Sequence, residues 1–227
     1  MSLAQYQLVS KAAQAKASAI LAQRLAGNLP SRALLEQYRP RPAWFRRPDM
    51  LPGLHGINHE ARVLIWQELL ARLVMQDGLT LDTEALRWAA VTHDTQRVED
   101  DLDLGHGERA ALWVRQHMQG TIPASSLETV AYINRWHVPS DRLVPRMTLE
   151  LAVFKDADAL ERVRLGGTGL DPRYLRWKQS KQCLLPLANA LLLASGRHRR
   201  AGAALFDCAM LAARELGLLA AEAGETE

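Results

Sequence analysis

Apolar residues recur at helical spacing through most of this 227-residue chain, and the alternating pattern typical of a β-strand is almost absent. Gly and Pro punctuate the segments between the apolar runs. Hydrophobic residues make up 48% of the chain, enough for a substantial core. We therefore predict an all-α helical bundle. The predicted helices cover about residues 3–26, 59–76, 82–95, 107–119, 125–136, 147–164, 183–195 and 199–222, with a shorter helix after Ser31.

The chain divides at a Pro/Arg-rich connector, residues 39–52. We predict an N-terminal helical extension and connector over residues 1–50, and a main domain over residues 51–227 with the C-terminal helices packed on it. Lys11 and Lys16 interrupt the apolar residues near the N-terminus, which argues against a signal peptide. The apolar run from Leu184 is too short to span a bilayer. These features predict a cytoplasmic protein with no membrane partner.

Charge and cysteine content exclude other classes. The net charge is only +3, and the basic clusters at residues 38–48 and 196–200 have no RNA-binding motif around them, so we interpret them as solvated turns and do not predict a nucleic-acid partner. Cys183 and Cys208 match no metal or redox motif and are predicted to be reduced core thiols. The sequence leaves the oligomeric state open.

Histidine and aspartate occupy helix positions that should face the core. Residues at spacings of three and four share a helix face, and His59, His93 and Asp156 each lie in register with apolar residues. Asp158 lies off that stripe and is predicted to be a cap or solvent-facing. A lone core histidine commonly bonds a backbone carbonyl, but a buried carboxylate is costly unless it is paired or binds a cation. Together they predict a divalent transition metal: Mn, Fe, Co, Ni or Zn.

Three segments carry a resemblance to a known family. They are HGINHEARV from His55, HDTQRVEDDLDLGHGERAA from His93 and FKDADALERVRLG from Phe154. In order and spacing they resemble the HD superfamily of metal-dependent phosphohydrolases, and most closely small bacterial HD proteins. The resemblance implies a compact HD-domain helical bundle. It also implies four metal ligands: His59, His93, Asp94 and Asp156.

The resemblance implies further roles around this set. His106 and His137 match positions where some HD proteins hold a second metal or contact phosphate, and His55 is a further candidate. Two departures from the motifs of known HD groups narrow the range of expected substrates. Arg97 stands where guanosine tetraphosphate hydrolases carry Glu-Asp, and the His-His and Gly-Tyr-Pro elements of cyclic dinucleotide phosphodiesterases are missing. The acidic run at residues 99–101 is interpreted as a solvated helix exit.

The leading hypothesis is a metal-dependent phosphohydrolase that cleaves a small phosphate ester or nucleotide by attack of metal-activated water. Asp94 is expected to bind metal through one oxygen and accept the proton of water with the other. Arg97 and Arg62 are the proposed catalytic phosphate clamps, since guanidinium groups bind phosphate oxygens in pairs. The further candidates for substrate phosphate are Arg109, Lys155 and Lys181.

Two alternatives stay open at this point. The additional histidines are compatible with a dinuclear-iron oxygenase, as in the HD relative myo-inositol oxygenase. A non-catalytic metal- or nucleotide-binding regulatory module would keep the same ligands without turnover.

Overall fold

The computed structural model describes residues 9–166 and 169–221. These ranges contain nine α-helices and no β-strand, which confirms the all-α prediction. The helices are α1 (Lys11–Arg24), α2 (Arg32–Glu36), α3 (Ile57–Gln76), α4 (Thr83–Ala90), α5 (His106–His117), α6 (Ala124–Trp136), α7 (Leu149–Glu161), α8 (Leu185–Arg200) and α9 (Leu205–Glu215). Residues 3–8 of the predicted N-terminal helix, and residue 222 of the last one, lie outside the described ranges.

Local side-chain chemistry sets several helix boundaries. Four helices begin after a residue whose side-chain oxygen accepts the backbone N–H three positions along, which satisfies a donor that the helix itself leaves unpaired. These caps are Ser10, Ser31, Asp82 and Thr148. Gly78, with φ of 90°, follows α3 in the left-handed conformation common after helix ends.

The predicted helix over 82–95 is too long. Helix α4 ends at Ala90, and a turn follows in which the Thr92 hydroxyl donates to the Trp88 carbonyl and the Thr95 hydroxyl to the Thr92 carbonyl. Such side-chain bonds compete with helical ones. The His93 amide still donates to the Ala89 carbonyl at 3.0 Å, so His93 keeps the direction that helical register predicts.

The C-terminal boundaries also differ from the predicted ones. A π-helical turn, Ser180–Leu184, precedes α8, and α8 runs through Gly196 to Arg200. The basic cluster at residues 196–200 is therefore the last turn of a helix and not a loop, a place where positive charge complements the helix dipole. Helix α7 ends at Glu161 and is followed by a 3-10 turn, Arg162–Leu165.

Helix α3 is the centre of the bundle. It is buried over almost its whole length, with α4, α7 and α9 packed around it. Leu21 of α1 and Leu35 of α2 belong to the same hydrophobic core. Residues 11–50 thus share one core with the rest of the described chain, and the division at residue 50 stays a prediction.

Two further sequence predictions concern the core and the membrane. Cys183 and Cys208 are free and buried, as expected of core thiols. None of the helices in the described ranges is both long and apolar enough to cross a membrane.

Candidate metal centre

Three segments bring two histidines and two aspartates to one point. His59 lies in the first turn of α3, His93 and Asp94 lie in the turn after α4, and Asp158 lies near the end of α7. The His59 Nε2 atom is 3.2 Å from His93 Nε2 and 3.4 Å from Asp94 Oδ2. Asp158 Oδ1 is 3.5 Å from His59 Nε2 and 3.9 Å from His93 Nε2. Ligands bound about 2.1 Å from one metal lie roughly 3.0 to 3.4 Å apart. The first two separations fall in this range, and the two separations of Asp158 are longer.

A second group of atoms faces the other oxygen of Asp94. His106 begins α5 and His137 follows α6. Asp94 Oδ1 is 2.9 Å from His106 Nε2 and 4.0 Å from His137 Nε2. The two Nε2 atoms are 2.9 Å apart. The Asp94 carboxylate therefore lies between two imidazole pairs, with one oxygen directed to each.

Backbone carbonyls fix two of the imidazole rings. A carbonyl oxygen can only accept, so each Nδ1 atom facing one carries the proton and the corresponding Nε2 atom presents a lone pair. The two bonds join His93 to Ala90 at 3.2 Å and His137 to Asn134 at 2.7 Å. The His106 Nδ1 atom faces both the Asp103 carbonyl and, at 3.0 Å, Arg97 Nη1. The lone pairs of His93 and His137 are directed at the Nε2 atoms of His59 and His106, where a cation would accept them.

His59 is supported by a buried acid instead. Its Nδ1 atom has no hydrogen-bond partner among the described residues and lies 3.7 Å from Glu161 Oε2. Glu161 is fully buried and accepts from Arg62 Nε at 2.6 Å and from Trp66 Nε1 at 3.1 Å. A carboxylate behind a ligating imidazole orients the ring and increases its basicity. Sequence reasoning missed this role of Glu161.

Burial keeps the histidines neutral and the facing charges keep the acids ionised. Burial lowers the pKa of His93 to about 4 and that of His137 to about 3, so both rings are in the metal-binding form at neutral pH. Burial alone would raise the pKa values of Asp94 and Asp158. The facing histidines hold the pKa of Asp94 well below its usual range and the pKa of Asp158 at about 2. Glu60 is the exception: burial, and then the charge of Asp94, raises its pKa well above the usual value.

Asp156, predicted to be a ligand, lies outside the candidate ligand groups. Its carboxylate is fully buried, as the stripe predicted, but it accepts the backbone N–H groups of Arg176 and Trp177 at 2.9 Å and pairs with Arg176 Nη1 at 3.0 Å. It belongs to neither of the groups whose ligand atoms converge. Asp158, predicted to be a cap or solvent-facing, is the carboxylate that reaches the histidines.

A second helical stripe could have revealed Asp158. This stripe has the same alternation of three- and four-residue spacings as the stripe through Asp156, and consists of Leu151, Phe154, Asp158 and Glu161. Phe154, one turn before Asp158, packs its ring 5.2 Å from the His93 ring and 5.9 Å from the His137 ring, centroid to centroid. Helix α7 is therefore buried on two faces, and periodicity alone does not say which face holds the ligand.

The structure also corrects the predicted roles of three arginines. The Arg97 Nη1 atom is 3.3 Å from Asp94 Oδ1, and its other nitrogens donate to the carbonyls of residues 99 and 101. Arg62 is held by Glu161 and by Asn58 Oδ1 at 2.8 Å. Arg109 donates to the Gln96 carbonyl and to Asp103. These guanidinium groups brace the centre and the loop after it instead of presenting free donors to phosphate.

The acidic run after Arg97 is a solvated exit only in part: Glu99 and Asp101 are exposed, as predicted, whereas Asp100 is half-buried. Asp100 accepts the backbone N–H groups of Leu54 and His55 at 2.7 and 3.1 Å, and its Oδ1 atom is 2.8 Å from His55 Nδ1. This anchors the loop before α3. The His55 ring contacts the His59 ring edge to face at 5.8 Å, so His55 lies beside the ligand groups and outside them.

Two glycines permit the close approaches that this geometry requires. A Cβ on Gly56 would lie 2.0 Å from the Leu51 carbonyl oxygen, and one on Gly107 would lie 2.5 Å from that of Asn134. The first contact lets the chain turn into α3 just before His59. The second lets the start of α5 pack against the end of α6, which brings His106 to His137.

Two cavities reach the centre. The larger, of about 700 Å³, is lined by His137 and Asp158 together with Arg142, Lys155, Arg162 and Arg176. Lys155, a predicted phosphate contact, is on this wall but donates to the Pro139 carbonyl at 2.5 Å and pairs with Asp141 at 3.1 Å. Lys181 is exposed on the π-helical turn and lines neither cavity. The smaller cavity, of about 220 Å³, is lined by His59, Arg62, Arg164 and Arg199 among others.

Comparisons of the chain with protein-family models, curated proteins and solved structures found no match. The HD resemblance therefore stays a prediction, and what the centre does is argued from its residues.

Proposed function

We propose that this protein is a metal-dependent phosphohydrolase acting on a small phosphate ester or nucleotide. The observation that carries the proposal is the convergence of His59, His93 and Asp158, whose ligand atoms lie within 4.8 Å of one another, with Asp94 Oδ2 at 3.4 and 3.5 Å from the two imidazoles. Imidazole and carboxylate together suit Mn, Fe, Co, Ni or Zn better than Ca or Mg.

The second imidazole pair supports a second ion. His106 and His137 face the Asp94 oxygen that the first group leaves free. A carboxylate with one oxygen directed to each group is suited to bridge two cations. In our proposal the first group binds metal more tightly, because two carboxylates and two imidazoles contribute to it.

The surroundings support an anionic substrate. Four cationic side chains and three carboxylates line the larger cavity, which leaves an excess of one positive charge, and the cavity reaches the candidate metal centre at Asp158 and His137. A bound divalent metal would supply Lewis acidity toward a phosphoryl oxygen and a nucleophile derived from water at neutral pH. The residues beside it would orient the phosphate and take up the proton.

Asp158 is better placed than Asp94 to accept the proton of the attacking water. The Asp158 side chain is 24% exposed and lines the larger cavity, whereas that of Asp94 is 3% exposed. Both Asp94 oxygens already face imidazoles, and Oδ1 also faces Arg97. We therefore assign proton acceptance, in addition to metal binding, to Asp158, and metal binding alone to Asp94.

The proposal is tested with a matrix of metals and substrates. Metal-free protein is reconstituted with Mn, Fe, Co, Ni or Zn and assayed against phosphomonoesters, phosphodiesters and nucleotides, with metal content measured in each sample. Turnover with at least one pair, lost in Asp94→Asn, is expected. Asp49→Asn is the matched control, since Asp49 only pairs with Arg47 at the surface. Metal bound at the centre without turnover on any substrate would refute the hydrolase.

A dinuclear-iron oxygenase is the second candidate, favoured by the pair His106 and His137. The same samples distinguish it, because an iron-loaded oxygenase would consume oxygen in the presence of a substrate. One metal ion per chain at saturation would exclude this candidate and leave a mononuclear hydrolase.

A further inference from the structure

The wall of the larger cavity holds a carboxylate between two cations. Asp141 Oδ1 lies 3.1 Å from Lys155 Nζ and also accepts from Arg176 Nη2, while Asp141 Oδ2 accepts from Arg176 Nε at 3.0 Å. All three side chains line the cavity that reaches the candidate metal centre at Asp158. Lys155 precedes Asp158 by about one turn of α7, so both residues lie on the same face of that helix.

Each of the two cations has a second anchor that does not depend on the Asp141 side chain. Lys155 Nζ donates to the Pro139 carbonyl at 2.5 Å. Arg176 Nη1 pairs with the buried Asp156 carboxylate at 3.0 Å, and that carboxylate also accepts the Arg176 backbone N–H at 2.9 Å. Both cations would therefore stay in place if the Asp141 carboxylate turned away from them.

Asp141 is the most exposed member of this group. Its side chain is 46% exposed, against 6% for Lys155 and 23% for Arg176, so the carboxylate lies on the open side of the two cations. Asp141 belongs to a three-residue 3-10 turn, Asp141–Leu143, and all three residues of the turn are exposed. The carboxylate can therefore rotate into solvent without disrupting the core.

A phosphate group suits the position that this carboxylate occupies. A guanidinium binds two oxygens of a phosphate with the same paired geometry that it uses for a carboxylate, and an ammonium adds a further charge-assisted bond. A phosphate monoester carries more negative charge than one carboxylate, so two cations attract it more strongly. Lys155 and Arg176 thus form a preformed oxyanion site, and Asp141 covers it.

We infer that Lys155 and Arg176 bind the phosphate group of the substrate, and that the Asp141 carboxylate occupies their donors until the substrate displaces it. The inference rests on the proposed function and deepens it, because it assigns phosphate binding to two residues beside the metal centre and makes Asp141 a competitor that sets the affinity. Ion pairs with a partly exposed acid contribute little to stability, so a phosphate group can replace this one.

Phosphate binding to metal-free protein tests this competition. Inorganic phosphate is titrated by calorimetry into chelated wild type, Asp141→Asn and Asp171→Asn. Removing the competing charge in Asp141→Asn should tighten phosphate binding by about three- to tenfold. Asp171→Asn is the matched control, because it removes the same charge from the wall of the same cavity, whereas Asp171 pairs with Arg173, which does not line the cavity. The affinity of Asp171→Asn should stay within about twofold of wild type.

A purely structural role for Asp141 gives the opposite result. If Asp141 only braces the wall, its loss loosens both cations, and Asp141→Asn binds phosphate no more tightly than wild type. Lys155→Gln should bind phosphate at least about fivefold more weakly, and combining it with Asp141→Asn should remove the gain in affinity. If Lys155→Gln does not fold, the comparison of Asp141→Asn with Asp171→Asn decides.

Three results would overturn the inference. They are phosphate binding to Asp141→Asn that is equal to or weaker than binding to wild type, an equal gain in Asp171→Asn, and no saturable binding to either wild type or Asp141→Asn below roughly 10 mM phosphate.

Activity separates this inference from the proposed function. In the metal-loaded enzyme, Asp141→Asn should lower KM for the substrate that is hydrolysed, because the phosphate no longer competes with a carboxylate. Turnover with an unchanged KM in this variant would refute the inference and leave the hydrolase standing. Tighter phosphate binding in Asp141→Asn, without turnover of any substrate, would refute the hydrolase and leave the anion site standing.

Discussion

Replacing Asp158 and Asp156 separately distinguishes a metal ligand from a structural acid on the same helix. Asp156 accepts three different N–H groups at 2.9 to 3.0 Å from Arg176 and Trp177. Asparagine keeps one acceptor oxygen and turns an NH₂ group toward the remaining donors. Losing a charge-assisted bond of about 1.5–3 kcal/mol, and leaving a buried donor unpaired, gives a total cost of about 3 kcal/mol for Asp156→Asn. For a chain of this length that corresponds to a melting temperature lower by about 6–12 °C.

Asp158→Asn should show the opposite pattern. Asp158 contacts the imidazoles of His59 and His93 at 3.5 and 3.9 Å, so the metal-free variant should melt within about 3 °C of wild type. Removing a ligand should weaken metal binding by at least about 100-fold. The assay is Mn or Zn titration of chelated protein by calorimetry, with melting curves recorded with and without metal. Retention of metal affinity in Asp158→Asn with its loss in Asp156→Asn would refute the assignment drawn from the geometry and restore Asp156 as the ligand.

Three further outcomes follow from the buried groups around the centre. Glu60→Met should stabilise the chelated protein, by up to about 1.4 kcal/mol for each pH unit above 4.5, because the raised pKa of Glu60 makes the folded state bind a proton that the unfolded chain releases. Urea denaturation of both proteins at pH 6 and 8 measures this difference in stability. A difference that does not change with pH would contradict the reasoning. Gly107→Ala should lower the free energy of unfolding by about 1–3 kcal/mol, since the added Cβ would lie 2.5 Å from the Asn134 carbonyl oxygen. It should also abolish binding of a second metal ion. A variant that melts like wild type would disprove the close packing. Because the pKa values of His93 and His137 are lowered in the folded protein, the unfolded chain takes up protons at a higher pH than the folded chain does. The stability of the metal-free protein should therefore fall as pH drops from 6.5 toward 4, by about 3 kcal/mol for His93 alone. Denaturation curves that coincide at pH 7 and 4.5 would argue against neutral buried rings.

The sequence predicts the helical fold and three of the side chains that meet at the candidate metal centre. His59 is in register with the apolar face of its helix, and the His93–Asp94 pair follows the apolar face of another, because core-facing positions recur every three or four residues. The same rule misleads at α7, where Asp156 and Asp158 both point into the protein. Which buried acid meets the histidines depends on how α7 is rotated against α3, and that rotation is set by packing between helices distant in sequence.

Arg164 was beyond such reasoning for a different reason. It lies in a 3-10 turn after α7, where helical periodicity no longer assigns side chains to faces. A count of arginines near the motifs favours Arg97 and Arg62, which are close to ligands in sequence. Proximity to a buried acid is also what occupies their donors, since each ends in an ion pair with a neighbouring carboxylate. Arg164 differs, because its nearest carboxylates balance its charge without accepting the hydrogen bonds of its Nε and Nη1 atoms.

The direction of the imidazole lone pairs argues against a centre that serves only to fill the core. A structural histidine in a core satisfies both ring nitrogens, one as donor and one as acceptor. At His93 and His137 the Nδ1 proton is given to a backbone carbonyl, and the Nε2 lone pair faces the Nε2 atom of a neighbouring imidazole. A neutral His59 could donate its proton to His93 only by turning its own Nδ1 lone pair toward the Glu161 carboxylate, 3.7 Å away. Protonating the rings would supply donors, but burial lowers their pKa values to about 4 and about 3 and opposes it at neutral pH. A cation is the partner that satisfies every lone pair at once, and the Asp94 carboxylate between the two pairs carries the charge that attracts it.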